Sequence, residues 1–440
     1  MDDPEQRDVE VLEADPFRTV DLPSSEPSSP SSVGAMVGAE RHRAPWSLSA
    51  LPGIIALQRR AEAVLEQGVA LPYFHTIDGF GEGTANIGGQ QRINFASYNY
   101  LGLSGHPKIS AAAKDAIDTY GTSVSSSRIS SGQIPLHTEL EQKIARLLGT
   151  DDSVAFIGGY VTNESTIGHL FGPKDLICYD SLTHRSAIEG TRLSGAKRLT
   201  FAHNDFDRLE RILKEYRHQY RGCLIVVEGL YSMDGDTPDL IRAIELKHRY
   251  NCALFVDEAH SLGVLGRRGI GEHLGIEAHE VDLWMGTLSK SLASCGGYIA
   301  GQREIINYLR FTCPGFLYSV GATPANTAAA SAAIDVMLDE PDRILTLRRN
   351  GQLFLTLAKA VGLNTGLSEG HAIVPIVVAD GLKTLRLAAA LFERGINVQP
   401  VLDPIVPRGQ SRLRFFISAM HSESQIREAV ATTAEEFAKL

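Results

Sequence analysis

The chain is short of cysteine, of basic charge and of long apolar runs, and each shortage excludes something. Its 440 residues include five cysteines, Cys178, Cys223, Cys252, Cys295 and Cys313, with no C-x-x-C pair. That excludes the usual zinc and disulfide frameworks, and no metal site is expected. An odd, scattered set suits a reducing compartment, so a cytoplasmic location is expected. Cys178, Cys223 and Cys252 sit in or beside apolar strands and are expected in the core. No stretch of eighteen apolar residues occurs, so no transmembrane helix is expected. The first residues are acidic and lack an apolar run, so they do not read as a signal peptide. Internal repeats and coiled-coil heptads are absent. The formal net charge is -10, but residues 1–32 alone hold nine acids and two arginines, which leaves about -3 for the rest. A near-neutral body carries no electrostatic footprint for nucleic acid.

What is present is an ordinary enzyme-like composition, 43% hydrophobic and 21% charged, long enough for more than one domain. Residues 1–45 are rich in Pro, Ser and acids and read as a disordered tail. Within them Val9, Val11, Leu12 and Phe17 leave open a docking peptide. Residues 46–95 read as an N-terminal helix and linker. Pro52 suits the first helical turn, Gly68 stops the helix after Gln67, and Ile54, Leu57, Ala61 and Leu65 fall roughly on one side. Residues 96–330 read as a large domain and 331–440 as a smaller α/β domain.

A short strand is expected at Arg92–Ala96, helices at Ile109–Tyr120 and Leu136–Leu148, and a flexible hydroxyl-rich loop at 121–132. Apolar runs then recur at 154–157, 176–179, 199–201, 224–227, 253–256, 283–285 and 298–300. Helical stretches such as Asp205–Glu215 and Leu240–Tyr250 separate several of them. This alternation predicts a mostly parallel sheet covered on both faces. An alanine-rich helix from Pro324 to about Asp339 leads to strands near 372–378 and 413–417. On the last strand Arg412 and Arg414 share a face.

The chemistry centres on Asp282-Leu-Trp-Met-Gly-Thr-Leu-Ser-Lys290. Lys290 follows a buried strand in a turn of small residues. There it reads either as a loop lysine in a salt bridge or as an amine desolvated enough to condense with an aldehyde cofactor. A second buried strand, Leu254-Phe-Val-Asp257-Glu-Ala-His260, ends in charge. Parallel sheets bind ligands at the carboxyl ends of their strands, so Asp257 and His260 are expected to open into the same crevice as Lys290. An aspartate that keeps a pyridine nitrogen protonated turns the ring into an electron sink, which points to pyridoxal phosphate.

Several motifs carry a resemblance: Asn99-Tyr-Leu-Gly-Leu, Phe156-Ile-Gly-Gly-Tyr160, Ser181-Leu-Thr-His184, Glu228-Gly-Leu-Tyr-Ser-Met-Asp-Gly235, Asp257-Glu-Ala-His-Ser261, Gly286-Thr-Leu-Ser-Lys290 and Arg412-Leu-Arg414. From about Asn94 onward the chain resembles the α-oxoamine synthases, a fold-type I pyridoxal-phosphate family that includes serine palmitoyltransferase and 8-amino-7-oxononanoate synthase. Tyr98 and Ser261 lean towards the serine-using branch. The resemblance implies an acyltransferase that joins an amino acid to an acyl thioester, on coenzyme A or an acyl carrier protein, with loss of carbon dioxide. It further implies a homodimer with a shared active site.

By the same resemblance, Lys290 holds the cofactor and acts as base, and Asp257 faces the ring nitrogen. His184 stacks on the ring, while Ser232 and His260 approach the ring oxygen. Amides of Gly159 and Tyr160, with the hydroxyls of Thr287 and Ser289, take the phosphate, joined by Ser319 of the second subunit. The family's N-terminal helix packs on the dimer partner. Arg414, and less so Arg412, with Tyr98, would bind the substrate; a guanidinium fork matches a carboxylate. Read alone, His184 is a capping or core histidine and Arg414 a strand arginine paired with an acid. An aminotransferase or lyase on the same fold, or a non-catalytic partner subunit, remain alternatives. Acyl transfer would release thiol and carbon dioxide, and a silent subunit should lack Lys290.

Overall fold

The computed structural model describes residues 46–81 and 83–440. The stretch 1–45, read above as a disordered tail with its Val9–Phe17 cluster, lies outside the described residues. Strands β1 (Ile77–Asp78), β2 (Thr84–Ile87) and β3 (Gln90–Asn94) come first. Seven follow: β4 (Asp152–Phe156), β5 (Asp175–Asp180), β6 (Lys197–Phe201), β7 (Gly222–Glu228), β8 (Ala253–Asp257), β9 (Leu283–Thr287) and β10 (Gly297–Gly301). The last are β11 (Ile373–Ala379), β12 (Ile396–Asn397), β13 (Gln399–Val401) and β14 (Ser411–Phe416).

The central sheet has the order β4-β10-β9-β8-β7-β5-β6. Strands β6, β5, β7, β8 and β9 run parallel, while β10 is antiparallel to both β9 and β4. The apolar runs become strands because both faces are covered, so consecutive residues are buried alternately on two sides. Ile177, Leu224, Val226, Phe255 and Met285 fill one side. Leu176, Cys178, Ile225, Val227, Leu254 and Val256 fill the other. Cys178, Cys223, Cys252 and Cys313 are buried and Cys295 is exposed.

The helices stand close to where the pattern puts them, with informative offsets. Asp205 is the cap of Phe206–Tyr216, accepting from the Arg208 N–H, rather than its first residue. The first long strand is Gln90–Asn94 instead of Arg92–Ala96. It stops there because the Asn94 side chain accepts the Ala96 N–H at 3.1 Å and turns the chain out of the ladder. The helix Pro52–Glu66 forms as expected, but none of its residues is buried.

After the helix Pro324–Asp339, strands β11, β14 and β13 make an antiparallel sheet. The helices Asp342–Ala360, Gly381–Glu393 and Glu423–Phe437 accompany it. The β2–β3 hairpin is tied to this region by β12. Phe95, Phe354 and Phe415 meet edge-on or tilted at the junction. Among the described residues no helix is long and apolar enough to cross a membrane.

Candidate active site

Three parallel strands deliver their last residues to one edge of the sheet: Glu228 from β7, Asp257 from β8 and Thr287 from β9. The register sets Glu228 directly beside Asp257. Lys290 follows in a closed turn. Leu288 N–H donates to the Gly296 carbonyl at 2.9 Å, and Ala293 N–H to that of Lys290 at 3.0 Å. The Lys290 Nζ lies 5.7 Å from the centre of the Tyr98 ring. Among the described residues no carboxylate forms an ion pair with it. Burial lowers its pKa to about 8, Asp257 and Glu228 pull the other way, and the Arg414 charge adds to the lowering. Of the two readings of this lysine, the salt-bridged one is not what the fold builds.

The carboxylates differ in character. Asp257 is buried, accepting the Ala259 N–H on Oδ1 at 2.9 Å and the Asn163 Nδ2 on Oδ2 at 2.7 Å. Glu228 is buried with no partner for its Oε1. Burial, then the neighbouring Asp257 charge, push its carboxyl pKa well above the ordinary range.

Two histidines face the same space. His184 caps the helix Arg185–Ser194 through Nδ1, so the capping role is real, yet its ring also feels Asp257, Lys290 and Arg414. Burial lowers its pKa despite Asp257. His260 is pushed well below the ordinary imidazole range by burial and by Lys290 and Arg414. Its Nδ1 is 2.8 Å from the hydroxyl of Tyr100, a fully buried phenol that burial keeps protonated. Tyr98 packs edge-on against both His260 and Phe416.

Arg414 and Arg412 share a face of β14 but not a fate. Arg412 pairs with Asp234 at 2.7 Å, both largely buried. Arg414 has no carboxylate partner among the described residues. One Nη1 donates to the Ser232 carbonyl at 3.0 Å, its carbon lies 4.6 Å from the Phe416 ring centre, and its buried Nε is unpaired. A guanidinium left without an acid in such a place is equipped to receive one.

At the other end of the crevice Gly159 opens the helix Gly159–Leu170. A Cβ there would stand 3.0 Å from Thr287 Oγ1, so glycine lets the helix end and the hydroxyl approach. The hydroxyls of Thr287 and Ser289 are 2.8 Å apart. Free backbone N–H groups at a helix start beside two hydroxyls suit a phosphate. The residues fit pyridoxal phosphate on these grounds: a desolvated amine for its aldehyde, a buried carboxylate for its ring nitrogen, and this cradle for its phosphate.

Of the expected residues, His184, Asp257, His260, Lys290 and Arg414 thus feel one another's charges, Tyr98 lies against His260 and Lys290, and Ser232 gives its carbonyl to Arg414. Gly159, followed by Tyr160 on the same helix, approaches Thr287 and its neighbour Ser289. Ser261 turns away and donates to Glu258. Ser319 lies on the segment before Gly321, whose N–H donates to Ser126 in the hydroxyl-rich loop. Within one chain no hydrogen bond joins Ser319 to the cluster. Sequence reasoning gave no role to Tyr100, Glu228, Asn163 or Ser186. Glu228 carries a signal, an acid ending a buried strand beside Asp257. Asn163 carries a fainter one, a poor helix former in a helix interior.

Residues 90–432 match the family described as aminotransferase class I and II. The chain is 38% identical over 375 residues to the 8-amino-7-oxononanoate synthase of Treponema denticola, covering 85% of this chain and 94% of that one. It is 37% identical over 378 residues to a serine palmitoyltransferase of Bacteroides thetaiotaomicron, covering 86% and 95%. Among solved structures it superposes on the Sphingomonas wittichii serine palmitoyltransferase with a TM-score of 0.84 at 29% identity, covering 88% of this chain and 98% of the other. A serine palmitoyltransferase structure that contains pyridoxal phosphate gives the same TM-score at 28% identity and the same coverage.

Proposed function

This chain belongs to the α-oxoamine synthases, a pyridoxal-phosphate branch of the class I and II aminotransferases, and from that premise we propose how its residues divide the work. It is an acyltransferase that condenses an amino acid with an acyl thioester and releases carbon dioxide, giving an α-amino ketone. The bound cofactor supplies an electron sink for the carbanion formed next to the amino-acid nitrogen. Asp257 holds the positive charge at the ring nitrogen. Gly159 and Tyr160 amides, with Thr287 and Ser289, anchor the phosphate, and Ser319 of a second copy completes that anchor. Ser232 and His260 face the ring oxygen.

Arg414 receives the substrate carboxylate, with Tyr98 beside it. Lys290 removes and returns the proton at the α-carbon, a role its lowered pKa of about 8 suits near neutral pH. His184 offers its ring N–H to the acyl carbonyl while charge develops there. The observation that carries the reading is the pairing of a desolvated Lys290 with a buried Asp257 in one crevice, facing an Arg414 that has no acid of its own. A homodimer fits a Ser319 that, among the described residues, makes no hydrogen bond to Thr287 or Ser289 of its own chain.

The test is mass spectrometry of products from a panel of amino acids, each offered acyl-coenzyme A and acyl carrier protein donors. An α-amino ketone with stoichiometric thiol and carbon dioxide is the expected result. Nitrogen transfer to a keto acid without thiol release would overturn it.

A further inference from the structure

We propose that Asn163 and Ser186 form a buried positioning relay between Asp257 and His184, which fixes His184 as the tautomer with its proton on Nε2. The idea rests on the reading above, in which these two residues serve one bound ring. Its geometry is a continuous chain of short contacts. Asn163 Nδ2 lies 2.7 Å from Asp257 Oδ2 and 2.9 Å from Ser186 Oγ. Ser186 Oγ lies 2.7 Å from His184 Nδ1. Asn163 and Ser186 are both about 1% exposed, so no water competes for these bonds.

The direction of every proton follows from the ends. A carboxylate only accepts, so the Asn163 nitrogen must face Asp257, and its second N–H goes to Ser186. The reverse orientation would press the amide oxygen against the Asp257 carboxylate oxygen. Having accepted from Asn163, the Ser186 hydroxyl gives its own hydrogen to His184 Nδ1. A separate contact agrees. The Ser186 backbone N–H, which can only donate, reaches the same Nδ1 at 3.3 Å. A nitrogen that takes two donors carries no proton, so the His184 proton resides on Nε2.

The orphaned Asn163 Oδ1, buried without a partner, shows which half of the amide the fold uses. Asp could not supply the two N–H bonds, and Leu could supply neither. Asn163 sits four residues after Gly159 on the same helix. One rigid element therefore holds both the phosphate cradle and the middle of the relay. An outer residue that fixes a histidine tautomer acts on the reaction only through that histidine, so Asn163 and Ser186 are positioning residues.

The experiment uses full-length holoenzyme with 15N-labelled histidine, the His184 signals being assigned by their loss in His184→Gln. Wild type should show an unprotonated Nδ1 and a proton-bearing Nε2. Ser186→Ala should show a mixed population of tautomers and a kcat lower by roughly tenfold to a hundredfold, the scale of lost orienting partners. The amino-acid KM should stay within about twofold, because Arg414 is untouched. Ser186→Thr keeps the hydroxyl and should restore both the nitrogen pattern and kcat. Thermal melting of each variant separates misfolding from loss of the relay. A wild-type His184 protonated on Nδ1, or Ser186→Ala with wild-type tautomer and kcat, overturns the proposal. A holoenzyme with the expected tautomer but no thiol release from any donor would sink the proposed function and support the relay.

Discussion

Glu228 and Asp257 are neighbours across two strands, yet the crevice needs opposite things from them. Asp257 has a donor on each oxygen, whereas Glu228 has an unpartnered oxygen and a carboxyl pushed towards the neutral form by burial and by Asp257. Replacing each with its amide therefore separates charge from shape. Asp257→Asn removes the charge proposed to face the ring nitrogen and should lower kcat by more than about a hundredfold, since a buried charge matched to a developing charge is worth several kcal/mol. Glu228→Gln keeps a neutral hydrogen-bonding group of the same size and should stay within about tenfold of wild type. Steady-state kinetics on both variants decide this; equal damage from the two would mean that Glu228 is ionised. Arg414 gives a different signature. Arg414→Lys keeps the charge but loses the planar fork and should raise the amino-acid KM by roughly tenfold to a hundredfold, the worth of a charge-assisted bond. A KM unchanged in Arg414→Lys would move the carboxylate site elsewhere.

At the scale of elements, the central strands were legible because burial on both faces makes most of them apolar runs, the edge strand β6 being more exposed, and the site motifs sit where those runs end. Lys290 and Asp257 could be read for that reason. Tyr100, Asn163 and Ser186 could not, because their meaning lies in contacts between segments far apart in the chain; Tyr100 and His260 are separated by 160 positions. The same holds for a clasp at the ends of β5 and β6. His203 lies between Asp180 at 3.0 Å and Asp236 at 2.7 Å, with Tyr231 edge-on at 4.4 Å. Burial opposes its charge, but hydrogen bonds and charges from the two aspartates outweigh that and raise its pKa to about 10. The clasp pins the loop that carries Ser232 and the Arg414 contact. A histidine raised above its unfolded value stabilises fully below about pH 6.5, and that contribution fades as pH climbs through about 10. His203→Gln should thus cost about 3 kcal/mol of unfolding free energy near pH 7, by leaving two buried aspartates without their cation. Denaturant titrations should show the gap from wild type closing between pH 7 and 10. A gap that stays constant over that range would mean that His203 is neutral in the fold.

For the molecule as a whole, what one chain leaves uncovered is as informative as what it buries. The helix Pro52–Glu66 has no buried residue, and Leu57 and Leu65 are 70% and 57% exposed, with Trp46 just before it at 77%. An apolar stripe left this exposed on a helix is unusual for a lone chain and suits a surface covered by another molecule. A second gap matches it: the hydroxyls of Thr287 and Ser289 bond to each other and that of Thr287 to Gly296, and among the described residues no hydrogen bond reaches them from Ser319 of the same chain. A second copy would answer both, covering the stripe and lending Ser319. Leu57→Asp with Leu65→Asp places charge on that stripe without touching any crevice residue. Sedimentation velocity should then show a lighter species than wild type, because burying an unpaired carboxylate at each position opposes association by several kcal/mol. Cofactor absorbance and thiol release should fall together with the dimer and recover as protein concentration is raised, which a direct defect in the crevice would not do. Wild type that sediments as a monomer at full activity, or a double variant that remains a fully active dimer, removes the helix from the interface.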